Sequence, residues 1–256
     1  LNVTPDSFSD GWTHLDPGAA VEHALSMIDE GAQIIDVGGE STRPGAAEVP
    51  PEVEIERVIP VVERLAALSP VPISVDTRKA SVARLALDNG ARLINDVQAL
   101  SDPGMMALAA RSGCGVALMH MRGTPATMQA DTAYADIVTE IYDFLEERIQ
   151  ACEVAGIARQ SIMVDPGIGF GKDLAGNLSL IKHIADFRSL GAAVMLGHSR
   201  KSFIGLTLEA PVDDREEGTD AVSAWAALEG VDIIRVHDVK RAARVRAMLR
   251  AIQDAE

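Results

Sequence analysis

Residues 73–96, with the sequence ISVDTRKASVARLALDNGARLIND, contain a unit that repeats along the chain. An aliphatic run ends at Asp76, and apolar residues at helical spacing follow in residues 80–87 and stop at Asn89-Gly90. A second aliphatic run then ends at Asn95-Asp96. A strand, a helix and a second strand in this order predict a parallel βαβ unit with a polar side chain at the end of each strand.

The same pattern recurs from one end of the sequence to the other. Aliphatic runs that end in a polar residue or a glycine occupy residues 34–36, 73–76, 93–96, 116–120, 162–165, 194–197 and 233–237. Residues 1–4 have the pattern of the end of an eighth strand, so we expect the first strand to be truncated at the N-terminus. This repetition predicts an α/β fold, a (β/α)8 TIM barrel that forms a single domain over residues 1–256.

Apolar residues at three- and four-residue intervals predict the helices between the strands. These helices occupy residues 19–28, 53–68, 80–87, 137–154, 178–190, 221–228 and 239–252, and a short one is expected to begin near Ser202. Polar, turn-rich loops at residues 4–12 and 38–46 follow strand ends, and we expect both to act as mobile lids. Residues 121–131 form a third long loop.

The carboxyl ends of the strands meet at one face of a (β/α)8 barrel, and the active site is built there. This geometry is expected to gather side chains from almost the whole chain into one pocket. They are Asn2, Asp76, Asn95, Asp165, Lys201, Arg235 and His237.

Composition and charge limit the classes of function. The chain has 256 residues, is 47% hydrophobic and only 4% aromatic, and carries a formal net charge of −15. No basic stripe suited to nucleic acid is visible, and no apolar run is long enough to span a membrane. Cys114 and Cys152 have no metal-ligand spacing, so we interpret them as reduced thiols of a cytoplasmic protein. A site for an anionic substrate must therefore concentrate its positive charge locally.

The segment DPGIGFGK, residues 165–172, places a carboxylate at a strand end before three glycines. Glycines allow the backbone to approach a ligand closely, which favours a pocket acid at Asp165. A glycine-rich turn capped by an aspartate is the alternative. Asp76, Asn95 and Asp165 together suit the edge of a 2-amino-4-oxo pteridine, but a purine-like edge or a metal held by two carboxylates would also satisfy them.

Two further segments carry positive charge at strand ends. Arg200 and Lys201 follow the aliphatic run at residues 194–197, which is the seventh strand of the barrel when residues 1–4 are counted as the first. Barrels commonly bind an anion at this place, although a solvated basic turn is the alternative. Arg235 and His237 share one side of a strand and suit a diphosphate, unless Arg235 is a structural residue bonded to nearby carbonyls. His120, like Asp96, has the pattern of a satisfied barrel residue more than that of a ligand.

Eight segments resemble bacterial dihydropteroate synthases, a pterin-binding family with a TIM barrel. They are LNVTPDSFSDG, DVGGESTRPGA, ISVDTRK, LINDV, LMHMRGTP, DPGIGFGK, SRKSFIG and RVHDV, in the family's order from Leu1 to Val239. The resemblance implies an enzyme of folate biosynthesis that joins 6-hydroxymethyl-7,8-dihydropterin diphosphate to 4-aminobenzoate, with release of diphosphate. It also implies Mg²⁺ as cofactor, sulfonamides as inhibitors and a homodimer.

The resemblance carries roles to matching residues of this sequence. Pterin-binding positions match Asp76, Asn95, Met119, Asp165 and Lys201; of these, Asp76, Asp165 and Lys201 are expected to be catalytic. Diphosphate-binding positions match Asn2, Thr42, Arg235 and His237, with Asn2 also placing the metal. Aminobenzoate-binding positions match Thr42, Arg43, Pro44, Phe170, Lys201 and Ser202. The sequence departs from the family pattern at Trp12, where a second glycine is expected.

Three other functions remain open at this point. A pterin-binding methyltransferase domain acting on methyltetrahydrofolate with a corrinoid partner would share the pterin pocket. It has no need for the diphosphate and aminobenzoate groups at Thr42-Arg43-Pro44 and at residues 199–202. A Schiff-base aldolase would use Lys201 as its nucleophile. A catalytically inactive binding protein is the third, although every named ligand position is filled.

Overall fold

The computed structural model describes residues 1–4 and 16–255. Its named strands form one parallel sheet in chain order, as a (β/α)8 barrel requires. They are β1 Ile35–Gly38, β2 Ile73–Asp76, β3 Leu93–Asp96, β4 Gly115–Met119, β5 Ile162–Asp165, β6 Ala193–Gly197 and β7 Ile233–Arg235. The seven predicted strands are confirmed, with ends that move by two residues at most.

Residues 1–3 extend this sheet beyond β1. The Val3 amide donates to the Gly38 carbonyl at 2.8 Å, and the Gly38 amide donates to the Leu1 carbonyl at 3.0 Å. Asn2 therefore forms an isolated parallel bridge with Gly38. The predicted lid at residues 4–12 falls almost wholly within residues 5–15, outside the described part of the chain, and Trp12 lies there too.

Helices separate the strands and cover the sheet. They are α1 Pro17–Asp29, α2 Pro51–Leu68, α3 Ala80–Asp88, α4 Pro103–Ser112, α5 Ile137–Val154, α6 Leu174–Lys182, α7 Ser202–Leu208, α8 Glu216–Leu228 and α9 Val239–Gln253. Helix α4 was not predicted. Its signals are local: Asp102 caps the first turn, Pro103 is the first helical residue, and Gly113 ends the helix in a left-handed conformation.

The helix predicted at residues 178–190 is wrong in its extent. Helix α6 ends at Lys182, and a separate 3₁₀ helix spans Ile184–Leu190. The buried residues of the second piece, Ile184, Phe187 and Leu190, follow one another at intervals of three. This spacing matches the three residues per turn of a 3₁₀ helix but also fits a short α-helical pattern, so periodicity alone cannot distinguish the two.

The core is aliphatic, as the low aromatic content predicts. Val37, Val75, Ile94, Val116 and Val164 lie on five neighbouring strands and are fully buried. Burying a side chain of this size contributes roughly 1.5–3 kcal/mol, so the strands are fixed by many similar contributions. None of the helices in the described ranges is long and apolar enough to cross a membrane.

Candidate active site

Strand register places polar side chains side by side at the carboxyl end of the sheet. Asn2 pairs with Gly38, Gly38 with Asp76, and Asp76 with Asn95. Because paired residues of parallel strands point to the same face, Asp76 and Asn95 become neighbours although nineteen positions separate them. Pairing in chain order is thus enough to bring these predicted site residues together.

Arg235 on the last strand, β7, pairs with carboxylates on the first two named strands, β1 and β2. Its Nε donates to Oδ2 of Asp36 at 2.7 Å, and its Nη2 donates to Oδ2 of Asp76 at 2.8 Å. Asn95 donates to the same Asp36 oxygen at 3.0 Å. The Arg235 side chain keeps 38% of its surface exposed, so one side of the guanidinium remains open to a ligand.

Lys201 and Asp165 form a second group beside the first. A Cβ atom built on Gly197 would lie 3.6 Å from Oδ2 of Asp165, 3.9 Å from Nζ of Lys201 and 3.9 Å from Cβ of Arg235. Gly197 thus lies where these three side chains converge, and its missing side chain leaves room between them. Nζ of Lys201 also donates to the Ile168 carbonyl.

Hydrogen bonds from side chains hold the glycine-rich loop that follows Asp165. Four successive carbonyls, of residues 168–171, accept hydrogen bonds from Lys201, Gln129, Lys172 and Tyr134, in that order. Gly167 has φ +72°, and a Cβ there would lie 1.9 Å from the His120 carbonyl oxygen, so only glycine fits. The loop presents the half-buried Phe170 ring 4.5 Å from Nζ of Lys201.

The remaining predicted residues lie around these groups. His237 makes a 2.9 Å hydrogen bond with Ser199, and Met119 is buried at the end of β4 in register with Asp165. Ser202 is exposed at the first position of α7.

Thr42, Arg43 and Pro44 lie on the loop between β1 and α2, where Thr42 is half-buried and the other two are exposed. The Gly45 amide ties this loop to the third long loop by donating to the Pro125 carbonyl at 3.1 Å. None of the three side chains contributes to the lining of the main cavity.

A cavity of about 750 Å³ opens at the carboxyl ends of the strands. Asn2, Asp36, Asn95, Lys201 and Arg235 line this end of it. The cavity also continues between β1 and β7 towards the opposite end of the barrel, where α1 and α9 line it. The candidate site is the part of the cavity at the carboxyl ends of the strands, because the titratable residues converge there. The site also includes Asp76 and Asp165, which lie just outside the cavity.

The carboxyl groups of the site respond differently to burial. Burial raises the pKa of Asp76 to about 7, and the neighbouring Asp36 charge adds to this against the opposing effect of Arg235. Burial also raises the pKa of Asp165, although Lys201 opposes it. Burial alone would raise the pKa of Asp36, but Arg235 and hydrogen bonds outweigh it, so Asp36 stays ionised.

The basic groups are shifted as well. Burial lowers the pKa of Lys201 to about 8, with Asp165 opposing the shift, so the ammonium form still dominates at neutral pH. Burial and the positive charges of Arg200 and Arg235 lower the pKa of His237 to about 4, so its ring is neutral. The site therefore combines the cations of Lys201 and Arg235 with three carboxyl groups: Asp36 stays ionised, and the pKa values of Asp76 and Asp165 are raised. This combination suits an anionic substrate that develops positive charge during its reaction.

Asp36 is the main residue missing from the sequence-based assignment. It lies on a strand two positions before Gly38, so its place near a strand end was the available signal. The contact between Ser199 and His237 was not predicted either. Asp96 accepts hydrogen bonds from two backbone amides, and His120 contacts Lys172 and the Phe144 ring, so both side chains have partners within the protein.

Three comparisons with known proteins agree on one family. The sequence pattern of pterin binding enzymes matches residues 1–237. The dihydropteroate synthase of Escherichia coli strain K12 is 49% identical over 256 residues, covering 100% of this chain and 91% of the relative.

Solved structures give the same result. The Yersinia pestis dihydropteroate synthase in complex with a sulfonamide drug has a TM-score of 0.95 and 46% identity, and the match covers 100% of this chain and 93% of that one. The Xanthomonas albilineans dihydropteroate synthase with 4-aminobenzoic acid has a TM-score of 0.94 and 46% identity, covering 100% and 92%.

Proposed function

This chain belongs to the pterin binding enzyme family, and we infer that it is a dihydropteroate synthase. It joins 6-hydroxymethyl-7,8-dihydropterin diphosphate to 4-aminobenzoate and releases diphosphate, a transfer reaction of folate biosynthesis. The observation that carries this function is the convergence of Asp76, Asp165, Lys201 and Arg235 at the carboxyl ends of the strands, in a chain that matches synthases over its whole length.

We assign the pterin ring to the polar edge formed by Asp76, Asn95 and Asp165. Carboxylate and amide groups can accept from the amino and ring N–H groups of a 2-amino-4-oxo pteridine, and the Asn95 amide can donate in return. Lys201 supplies a donor opposite them, and Met119 supplies an apolar surface for the ring. Burial of these groups makes each unsatisfied hydrogen bond costly, which favours this heterocycle over an apolar one.

We assign the diphosphate to Arg235 and the neutral His237, and the family resemblance adds Asn2 and Thr42 to this group. Hydrogen bonds to Asp36 and Asp76 already fix the Arg235 side chain, so binding a diphosphate costs little side-chain entropy at this residue. As the diphosphate leaves, its growing charge is stabilised by the exposed side of the guanidinium.

We propose that Mg²⁺ assists at the same place. This ion usually keeps several waters and binds through one or two protein oxygens together with substrate phosphates. Asn2 offers one exposed amide oxygen at this end of the cavity. The described residues contain no group of three His, Cys, Asp or Glu suited to a metal, so the donor set fits an ion held chiefly by the diphosphate. When bound, the ion would supply positive charge that makes diphosphate a better leaving group.

The chemical step follows from the charges around the pterin. Loss of diphosphate leaves a cation-like exocyclic carbon that is conjugated with the electron-rich dihydropterin. Asp76 and Asp165 stabilise that positive charge, and the arylamine nitrogen then attacks and loses a proton. Because water would compete for the same carbon, a closed site favours the arylamine.

We assign 4-aminobenzoate to the space between Phe170, Lys201 and the loop that carries Thr42-Arg43-Pro44, with Ser202 at its margin. Arg43 supplies a cation for the carboxylate of this substrate. The Yersinia relative binds a sulfonamide drug, and such drugs imitate 4-aminobenzoate. We therefore propose that sulfonamides inhibit this enzyme by occupying the same space.

We also propose a homodimer. Exposed apolar side chains concentrate on three consecutive helices: Leu206 and Leu208 on α7, Trp225 and Leu228 on α8, and Met248 and Ile252 on α9. Covering such side chains with a second copy would remove apolar area from water. Sedimentation of the full chain would test this, and a monomer at micromolar concentration would contradict it. Location in the cytoplasm stays a prediction, consistent with the two free, buried cysteines.

The other functions fit the site less well, although burial lowers the pKa of Lys201 in the direction that an amine nucleophile requires. A methyltransferase acting on methyltetrahydrofolate would not need Arg43 or Arg235, and the relatives named above are synthases. A Schiff-base aldolase would need the Lys201 amine free, whereas Lys201 donates to a backbone carbonyl and contacts the Phe170 ring.

The direct test is diphosphate release by the purified chain. Release should require the pterin diphosphate, 4-aminobenzoate and Mg²⁺ together, and omission of the arylamine should abolish product formation. Release at the same rate without 4-aminobenzoate would indicate a hydrolase and would contradict the assignment. Trapping of a carbonyl substrate on Lys201 by borohydride would instead support the aldolase.

A further inference from the structure

The loop between β1 and α2, residues 39–50, begins and ends close together in space. We call this narrow base, where Glu40 meets Val49, the neck of the loop, and a single carboxylate closes it. Oε1 of Glu40, at its beginning, accepts a hydrogen bond of 2.8 Å from the Val49 amide, nine residues later. Thr42, Arg43 and Pro44 lie between these two points. The Glu40 side chain is only 7% exposed, so this contact is shielded from competing water.

The other oxygen of Glu40 ties the loop to the end of β2. Oε2 lies 3.2 Å from Nε of Arg78 and 3.0 Å from Nζ of Lys79. Both cations follow closely after Asp76, the last residue of β2. One carboxylate therefore fixes the loop to the strand that carries a proposed catalytic residue.

The base of the loop also packs tightly on α2. Lys79 makes a second ion pair, at 2.5 Å, with the fully buried Glu54 of this helix. A Cβ built on Gly39 would lie 2.6 Å from Cγ2 of Val58, so backbone and helix are in close contact. Two acids and two cations, Glu40, Glu54, Arg78 and Lys79, pair with one another in this cluster, and of the buried side-chain nitrogen and oxygen atoms described there only Oε1 of Glu54 lacks a hydrogen-bond partner.

We propose that Glu40 is a positioning residue for the arylamine: it closes the neck of the loop and fixes it to the end of β2, so that Thr42-Arg43-Pro44 faces Phe170 across the substrate. Glu40 does not touch substrate in this role. The proposal rests on the proposed function for the identity of the arylamine, but the closed neck itself does not depend on it.

The ionisation of Glu40 is consistent with this role. Burial alone would raise its pKa, but hydrogen bonds from Arg78, the Val49 amide and Lys79 outweigh burial and bring the pKa below its ordinary value. The carboxylate is therefore charged at neutral pH and keeps both cations in place.

The test compares two acids of the same loop that share one partner. Glu48 also pairs with Arg78, at 3.0 Å, but its side chain is 70% exposed, so Glu48→Ala is the matched control. Glu40→Ala should raise KM for 4-aminobenzoate about tenfold and KM for the pterin diphosphate less than threefold, because a charge-assisted hydrogen bond that orders the loop is lost. Glu48→Ala should change both constants by less than about twofold.

Glu40→Gln keeps an acceptor for the Val49 amide and loses only the charge, so KM for 4-aminobenzoate should rise about threefold. This variant decides the question if Glu40→Ala does not fold, which calorimetry with the free pterin alcohol would reveal. Unchanged KM for 4-aminobenzoate in the folded variants, or equal rises in both KM values, would overturn the proposal.

Hydrogen exchange of the ligand-free protein separates this proposal from the function. Amides of residues 41–48 should exchange faster in Glu40→Ala than in Glu48→Ala. If this difference is found while the wild-type chain makes no product, the closed neck stands and the assigned function falls. If the wild-type chain is active and the two variants exchange alike, Glu40 does not position the loop.

Discussion

Replacing Lys201 by alanine should impair binding of both substrates, because one ammonium group lies between their assigned sites. Its Nζ donates to the Ile168 carbonyl, lies near Asp165 and is 4.5 Å from the Phe170 ring. A hydrogen bond to a charged group contributes about 1.5–3 kcal/mol, equivalent to roughly a 10- to 150-fold change in Kd. Alanine also leaves the buried Asp165 without its nearest cation, which would raise the pKa of Asp165 further.

The same residue makes a prediction about pH. Burial lowers the pKa of Lys201 to about 8, below its ordinary value, so the cation is present at neutral pH and is lost as pH rises through about 8. Wild-type kcat/KM should therefore fall above pH 8, and Lys201→Ala should lack this decline. Lys201→Arg keeps the charge but has a planar fork that does not fit the same place, so it should restore binding only in part.

Calorimetry with the free pterin alcohol and with 4-aminobenzoate measures each affinity in the folded variant. Lys240, exposed on α9, provides the control substitution Lys240→Ala, which should leave both affinities unchanged. Unchanged binding of both ligands to Lys201→Ala, with unchanged turnover and pH dependence, would remove Lys201 from the site.

Three further predictions concern the charge of the pterin site, the metal and the inhibitors. Asp76→Asn should lower kcat by roughly 10²-fold or more, because it removes a charge opposite the developing cation, and a folded variant with near-normal kcat would refute this role. Removing Mg²⁺ should weaken binding of the pterin diphosphate far more than binding of the pterin alcohol, whereas equal effects would place the metal elsewhere. Sulfamethoxazole should compete with 4-aminobenzoate, and its inhibition constant should lie within about tenfold of the 4-aminobenzoate binding constant. Inhibition hundreds of times weaker would contradict an intact aminobenzoate site, and Trp12→Gly would then be the first reversal to make.

The sequence was sufficient to predict the strands because a parallel barrel imposes a simple order. Each buried strand is an aliphatic run, and strands that follow one another in the chain pair in space. This rule brings Asp76 beside Asn95 and places Lys201, which follows β6, at the same end of the sheet as Asp165 on β5. The short α4 escaped prediction because its evidence lies in capping residues and not in a long apolar period.

The side-chain network could not be predicted in the same way. The sequence does not indicate that Arg235 pairs with both Asp36 and Asp76, because that contact forms only when the last strand, β7, comes close to β1 and β2. The double role of Glu40, at the neck of a loop and beside Arg78 and Lys79, depends on the path of a loop that has no repeating pattern. Long-range ion pairs of this kind require the three-dimensional arrangement.

The proposed reaction joins an arylamine nitrogen to the exocyclic carbon of a dihydropterin. The most direct measurement is mass spectrometry of the product formed from isotopically labelled 4-aminobenzoate and the pterin diphosphate, together with the amount of diphosphate released. We expect labelled 7,8-dihydropteroate and diphosphate in a one-to-one ratio. Diphosphate accompanied by the unlabelled pterin alcohol, with the labelled 4-aminobenzoate recovered unchanged, would contradict it.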